Sequence, residues 1–399
     1  MNILQISTYD TKGGAAKVAW ILKEQLEQRG NTTSMFVGHK LSSTPNVYQI
    51  PNSNFRRFLS AAGASDIDFF SSDSILNTKQ YHEADLIHCH NLHGYYFNLS
   101  TLQKMAQEKP VIWTLHDMWA ITPHCAHAFN GQLKDGFYMC PNRRVYPSIL
   151  WPNEKYLQQR KKNVYGNAQF EVVVPSHWLE HKVKLSALGE HHISVIHNGV
   201  DTSVYHPYNK THIRKAFHLP LQKKIILFVT DGWKRTMWKG YDFLYKIMKF
   251  YEKKGDIIFL VIGGENLPAQ YASNNYFPLP SVTDMSLLAK YYSLSDIFVM
   301  TSVAENFPLT VLEAMACGVP IVSFDVGGVK EAVIHKKNGY IARYKNVPDI
   351  INGIDYILNL DSPSLKRLSA DSVIRIKYNF TAEIMVKRYL QLYTSLIRT

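Results

Sequence analysis

At 399 residues, with 46% hydrophobic and 19% charged side chains, the chain has the composition of a globular protein with room for two cores, not of a disordered or fibrous one. Its 44 basic and 32 acidic side chains leave a net charge of +12. That favours an acidic partner, whether nucleic acid, an anionic membrane face or a phosphorylated small molecule, although each basic cluster alone reads as solvated surface. No apolar run reaches the ~20 residues that cross a bilayer, and MNILQIS lacks the basic start of a signal peptide, so a cytoplasmic protein is expected.

In chain order, MNILQIS reads as a buried strand, TKGG (11–14) as a glycine turn, and 15–30 as a helix with apolar Val18, Ile21, Leu22 and Leu26. The short apolar runs 84–90 and 110–116 each end in a histidine, and 170–176 and 193–199 follow. Residues 201–215 are polar and unpatterned and read as an interdomain linker. The second half restarts with a strand in 223–232, a helix over 240–255 and strands at 256–264, 297–302 and 320–328. Val/Ile runs alternating with helices predict an α/β protein with two doubly wound parallel sheets. Ligands of such sheets sit beyond the strands' carboxyl ends, and two such domains facing each other would form one deep cleft.

AENFPLTVLEAMACG (304–318) puts two acids around a helix start. Pro308 suits the first turn and Gly318 the far end. The Leu309 and Thr310 amides would then make an anion site. A phosphate alone would repel Glu305, so Glu305 makes sense if it faces hydroxyls. Glu313, beside Leu312 and Ala316, needs partners if buried, and the vicinal hydroxyls of a ribose would serve. Phosphate between two polyols describes a sugar nucleotide. The plainer alternative is a half-exposed helix acid and a near-cap residue. In DGWKRTMWKGYDF (231–243), Lys239 with Lys234 or Arg235 could neutralise a pyrophosphate, or the three could be a solvated cluster.

Gly13 and Gly14 would let backbone approach a ligand closely, or simply form a turn. TKGG is not GxGxxG, and no acidic ribose partner stands ~20 residues on. In HCHNLHG (88–94), His88 and His90 share a strand face and His93 follows in the loop. No acid completes a metal set, so loop histidines binding a polar substrate are expected instead. His116, ending a strand, could donate to a sugar hydroxyl or be a core histidine. Among four cysteines no CxxC occurs. Cys125 and Cys140, with His124 and His127, are spaced too irregularly for zinc, and buried thiols in a reducing compartment are expected.

Taken together, the sequence resembles the retaining, nucleotide-sugar-dependent glycosyltransferases of family 4, of GT-B arrangement and bacterial surface-polysaccharide type, over nearly its whole length. ENFPLTVLEAMACGVPIV resembles the E-x7-E signature, WKGYDFL the Lys-Gly phosphate motif, and VVVPSHWLEH with ISVIHNGVDTSVYHP the domain junction. STYDTKGGAAKVAWIL, IHCHNLHGYY and WTLHDMWAIT resemble one subgroup. The resemblance implies two Rossmann-like domains, 1–205 for the acceptor and 206–380 for the donor, with 381–399 a helix packing back on the first. By matching position, Glu305 would contact the donor sugar, Glu313 the ribose and Lys239 the diphosphate. Gly13, Gly14, Asn306, Phe307, Leu309 and Thr310 would complete the donor site. His116 would meet the transferred sugar, and His90, Asn91 and His93 would lie near the acceptor.

Two departures stand out: many members carry Gly where Pro308 stands, and the usual Gly-Arg before Lys-Gly is absent. Lys234 stands roughly where that arginine would be, and Arg235 is its rival. The expected activity is hexosyl transfer with retention, catalysed by Glu305, Lys239 and His116. No metal and no cofactor are expected, because no DxD-like pair occurs in a fitting loop. Expected partners are the nucleotide-sugar donor and a saccharide or lipid-linked saccharide acceptor. Peripheral contact with an anionic membrane stays open, and nucleic acid is not expected, because no HTH, RRM or zinc-finger pattern occurs. The alternatives are a sugar-nucleotide epimerase on the same scaffold and a non-catalytic basic binding protein.

Overall fold

A computed structural model describes residues 1–51, 70–230, 238–265 and 274–398. They form two units, Met1–His197 with Met385–Thr399, and Asn198–Ile384.

The first unit contains β1 (Asn2–Tyr9), α1 (Gly14–Glu27), β2 (Thr32–His39), β3 (Val47–Gln49), β4 (Leu86–Cys89) and β5 (Val111–Thr114). A small antiparallel hairpin of β6 (Leu133–Lys134) and β7 (Phe137–Tyr138) follows, then α2 (Glu154–Gly166), β8 (Glu171–Val174) and β9 (Ile193–Val195). The main sheet runs β3-β2-β1-β4-β5-β8-β9, every pair parallel. Leu4, Ile6, Ile87, Trp113 and Val172 fill its core because helices cover both faces. The run KYLQQRKKN (155–163) is one of the basic clusters read as solvated surface, yet one member of it is not surface. Lys161 is fully buried, its ammonium donating to the Trp119 and Thr122 carbonyls and lying 3.8 Å from the Trp119 ring centroid.

The cysteine expectation is corrected here. Cys125 and Cys140 are joined in a disulfide with Cα atoms 5.9 Å apart, a span such a bridge accommodates. Only Cys89 and Cys317 are buried free thiols.

The second unit holds α3 (Lys210–Ala216), β10 (Lys224–Val229), α4 (Tyr241–Tyr251), β11 (Ile257–Ile262), β12 (Tyr276–Leu279) and α5 (Met285–Leu294). β13 (Ile297–Met300), α6 (Leu309–Ala316), β14 (Ile321–Phe324) and β15 (Gly339–Ala342) complete a parallel sheet of order β12-β11-β10-β13-β14-β15. The stretch read as an unpatterned linker therefore carries a helix. Tertiary contacts hold it: buried Arg214 donates to the Leu294 and Lys223 carbonyls and pairs with Asp296 at 2.7 Å. Burial alone would raise the Asp296 carboxyl pKa, but Lys210 and Arg214 outweigh it and hold the group below the usual range. The last helix, α7 (Ala382–Arg398), carries residues 385–399 into the first unit.

Strand order reverses between β1 and β4 in one unit and between β10 and β13 in the other. Parallel sheets open a crevice for ligands at such points. The loops leaving β1, β4 and β13 hold most of the candidate residues. No helix among the described residues is long and apolar enough to cross a membrane.

Candidate functional site

In the second unit, two loops are stitched together at the β13 end. The Thr301 hydroxyl donates to the Lys239 and Gly240 carbonyls at 3.0 and 2.9 Å, and the Val303 amide donates to the Trp238 carbonyl. Gly240 has φ +66°, and a Cβ there would stand 1.9 Å from the Thr301 carbonyl oxygen. Only glycine permits this approach, which explains the Lys-Gly pair. The stitch brings Lys239 Nζ to 2.7 Å from Glu305 Oε1, with side chains 31% and 12% exposed.

The 301–308 loop is held from several sides. Tyr344 donates to the Val303 carbonyl, the Gly328 amide to that of Asn306, and Asn198 Nδ2 to that of Phe307. Pro308 stands at the N-cap of α6, leaving the Leu309 and Thr310 amides in its first turn. The helix ends in paired bonds from the Gly318 and Val319 amides to the Met315 and Ala314 carbonyls. Glu313 is 3% exposed and accepts a 3.0 Å bond from the Tyr292 hydroxyl, so the half-exposed reading of this acid is corrected. Asn306 is buried, and the Phe307 ring packs in the core against Phe380. Lys234 and Arg235 lie outside the described residues.

In the first unit, buried Asp10 follows β1 and accepts from the amides of Thr11, Leu41 and Ser42. Burial alone would raise its carboxyl pKa, but these bonds hold it low. It fixes the start of the glycine turn. A Cβ at Gly13 or Gly14 would meet nothing within 4 Å, so there is open space beside the N-terminus of α1.

Thr8 of β1 donates to the Asn91 and His93 carbonyls and seats the 91–94 loop. His93 Nε2 lies 2.7 Å from Asp117 Oδ2, and His90 Nδ1 lies 3.0 Å from His116 Nε2. His88 is a structural member of this group: its two nitrogens meet the hydroxyls of Tyr393 and Thr114, both at 2.7 Å. Among the described candidates, the structure thus pairs Lys239 with Glu305 beside the α6 start, and His90 with His116. Sequence reasoning missed Asp10, Asp117, Tyr292 and Gly327, the last of which approaches the Glu305 carbonyl so closely that a Cβ there would stand 2.1 Å from its oxygen. Asp10 and Asp117 had a usable signal, since Asp10 directly follows the end of β1 and Asp117 directly follows the candidate His116; Tyr292 had none.

Burial pushes His88 down to about 3 and His116 to about 4, with Asp117 opposing the shift at His116, and drives His90 well below its ordinary value. A histidine in the unfolded chain titrates near 6.5. Below that pH the unfolded state takes protons that the folded state refuses, so stability is lost as pH falls from about 6.5 toward 4. The melting temperature is expected to drop between about pH 7 and pH 5 in a thermal scan. A flat profile would count against neutral, buried imidazoles.

Two doubly wound parallel sheets of this order have the GT-B fold of glycosyltransferase structures. The model for Glycosyltransferase Family 4 matches residues 12–204, and that for Glycosyl transferases group 1 matches residues 209–372. The chain belongs to the family 4-type glycosyltransferases. WcaC of Escherichia coli K12, named as a colanic acid biosynthesis glycosyl transferase, is 23% identical over 99% of this chain and 100% of its own. The N,N'-diacetylbacillosaminyl-diphospho-undecaprenol α-1,3-N-acetylgalactosaminyltransferase of Campylobacter jejuni is 26% identical over 75% of this chain and 78% of its own. Among solved structures, Anabaena HepE in complex with UDP superposes with a TM-score of 0.72 at 15% identity, over 99% of this chain and 100% of HepE.

Proposed function

We propose that the protein transfers a hexosyl group from a nucleoside diphosphate to an acceptor hydroxyl with retained anomeric configuration, in polysaccharide biosynthesis. The observation that carries this is the Lys239–Glu305 pair beside the first turn of α6, with Glu313 buried within that helix. Lys239 and the Leu309 and Thr310 amides take the diphosphate, with Lys234 or Arg235 as second cation. Asn306 and the backbone of Phe307 line the same loop. Glu313, braced by Tyr292, takes the ribose hydroxyls, and Glu305 faces the sugar. In the first unit, Gly13 and Gly14 leave room for donor phosphate, His116 meets the transferred sugar, and His90, Asn91 and His93 meet the acceptor. The UDP held by HepE and the diphospho-undecaprenol in the Campylobacter enzyme's name support the donor and acceptor classes.

In the reaction, the bond from the anomeric carbon to the diphosphate oxygen breaks and the bond to the acceptor oxygen forms on the same face. The leaving phosphate takes the acceptor's proton. Charge growing on the diphosphate meets Lys239 and the helix amides, which is commonly the largest catalytic contribution. No step needs a metal, so turnover is expected to survive EDTA; a loss restored by a divalent cation would overturn this. The deciding experiment is a panel of nucleotide-sugars scored by melting shift, followed by product analysis with and without acceptor. Turnover of a donor without acceptor would show an epimerase instead.

An acceptor carried on a lipid fits one further feature. Leu150, Trp151 and Tyr156 are 63%, 61% and 51% exposed, flanked by exposed Arg143, Arg144 and Lys155. The protein is expected to sediment with anionic liposomes at low salt and to be released by high salt. Failure to sediment would remove the membrane from this reading.

A further inference from the structure

Tyr389 and Tyr393 stand four residues apart on α7, so their side chains share one face of the helix, and both are buried. The Tyr393 hydroxyl lies 2.7 Å from His88 Nδ1, and the Tyr389 hydroxyl 3.0 Å from Thr114 Oγ1. Thr114 Oγ1 also lies 2.7 Å from His88 Nε2, so both His88 nitrogens are taken. An imidazole bonded at both nitrogens cannot turn without losing a bond. Its ring packs against His90 at 4.1 Å between centroids. His90 is bonded through Nδ1 to His116, while its Nε2 is enclosed and has no hydrogen-bond partner among the described residues. A buried nitrogen in that state calls for a partner.

Phenylalanine would fill either tyrosine position, but it would leave buried His88 Nδ1 or Thr114 Oγ1 short of a partner, at a cost in stability. What the bonds add is a fixed ring plane under His90.

We propose that Tyr389, Tyr393, Thr114 and His88 form a positioning network through which the last helix orients the His90–His116 pair toward the acceptor hydroxyl. The acceptor role of that pair rests on the proposed function; the network itself rests on the distances. None of the four touches the reacting atoms. They act through His90.

The test uses the full-length protein with Tyr393→Phe, Tyr389→Phe, Thr114→Val and Thr114→Ser. Each variant that deletes a hydroxyl is expected to lower kcat/KM for acceptor about ten-fold, the scale of one buried hydrogen bond, with donor KM unchanged. Thr114→Ser keeps a hydroxyl and recovers most of the loss. Melting temperatures fall by a few degrees, and the unchanged donor KM separates that loss from the loss of positioning. In histidine-labelled protein, the ¹⁵N signals of His90 move in Tyr393→Phe. Unchanged acceptor kinetics in all three hydroxyl deletions overturns the proposal. So does a parallel fall in donor and acceptor constants with melting temperature, which marks a merely structural role. If the wild-type protein itself transfers no sugar, the proposed function has failed rather than the network. The ¹⁵N spectrum then decides: moved His90 signals uphold the network, and unmoved ones overturn it.

Discussion

Lys239→Ala and Glu305→Gln are each expected to lower turnover at least ~100-fold, the scale of a single preorganised electrostatic group. The two variants differ in what they do to donor binding. Glu305 is only 12% exposed and has Lys239 at 2.7 Å. Removing the lysine leaves a carboxylate beside the place proposed for a diphosphate, so Lys239→Ala should also shrink the melting shift given by UDP or GDP. Glu305→Gln removes a negative charge from that place, so its melting shift should persist or grow while turnover falls. The double variant should cost less than the sum of the two, because residues in contact are not additive. Near-wild-type turnover in either folded single variant would sink the assignment of that residue. A melting shift that falls in both would turn Glu305 into a binding group.

The parallel sheets were legible because strands buried on both faces spell themselves out in Val and Ile, as in KIILFV and IIFLVI. β2, β3, β12 and β15 were not, since TTSMFVGH, VYQ, YFPL and GYIA mix polar, aromatic and glycine positions and owe their state to neighbouring strands. In the site, Glu305 and the α6 start were legible because they lie at a strand end and a helix start, and Lys239 only through its resemblance to a Lys-Gly motif, while the Lys239–Glu305 contact itself was not. The pairing of His88 with Tyr393 could not, because its partners are 305 residues apart and nothing local marks either one. Buried Lys161 failed for the opposite reason: its neighbours in sequence are polar, and only the Trp119 and Thr122 carbonyls reveal that it faces inward. The disulfide needed Cα positions that spacing alone does not give.

Gly327 offers the most demanding check, because it can misplace Glu305 without touching its charge. Its φ is +56°, and a Cβ there would stand 2.1 Å from the Glu305 carbonyl oxygen. The next amide, that of Gly328, donates to the Asn306 carbonyl at 2.7 Å, so the 305–306 backbone is pinned from this side. Alanine at 327 carries a left-handed strain of about 1–2 kcal/mol. Relieving the clash must also shift the Glu305 backbone or that of residue 327, which disturbs the 2.7 Å spacing of Glu305 from Lys239. A displacement near 1 Å costs about 10²-fold when it separates groups that must act together. Gly327→Ala is therefore expected to fold, to melt a few degrees lower, and to lose about 10²-fold in turnover. Gly166→Ala is the control, since a Cβ there meets nothing within 4 Å, and its rate should be unchanged. If Gly327→Ala keeps its rate, the spacing of Glu305 from Lys239 does not limit the reaction, and the carboxylate's position ceases to explain catalysis.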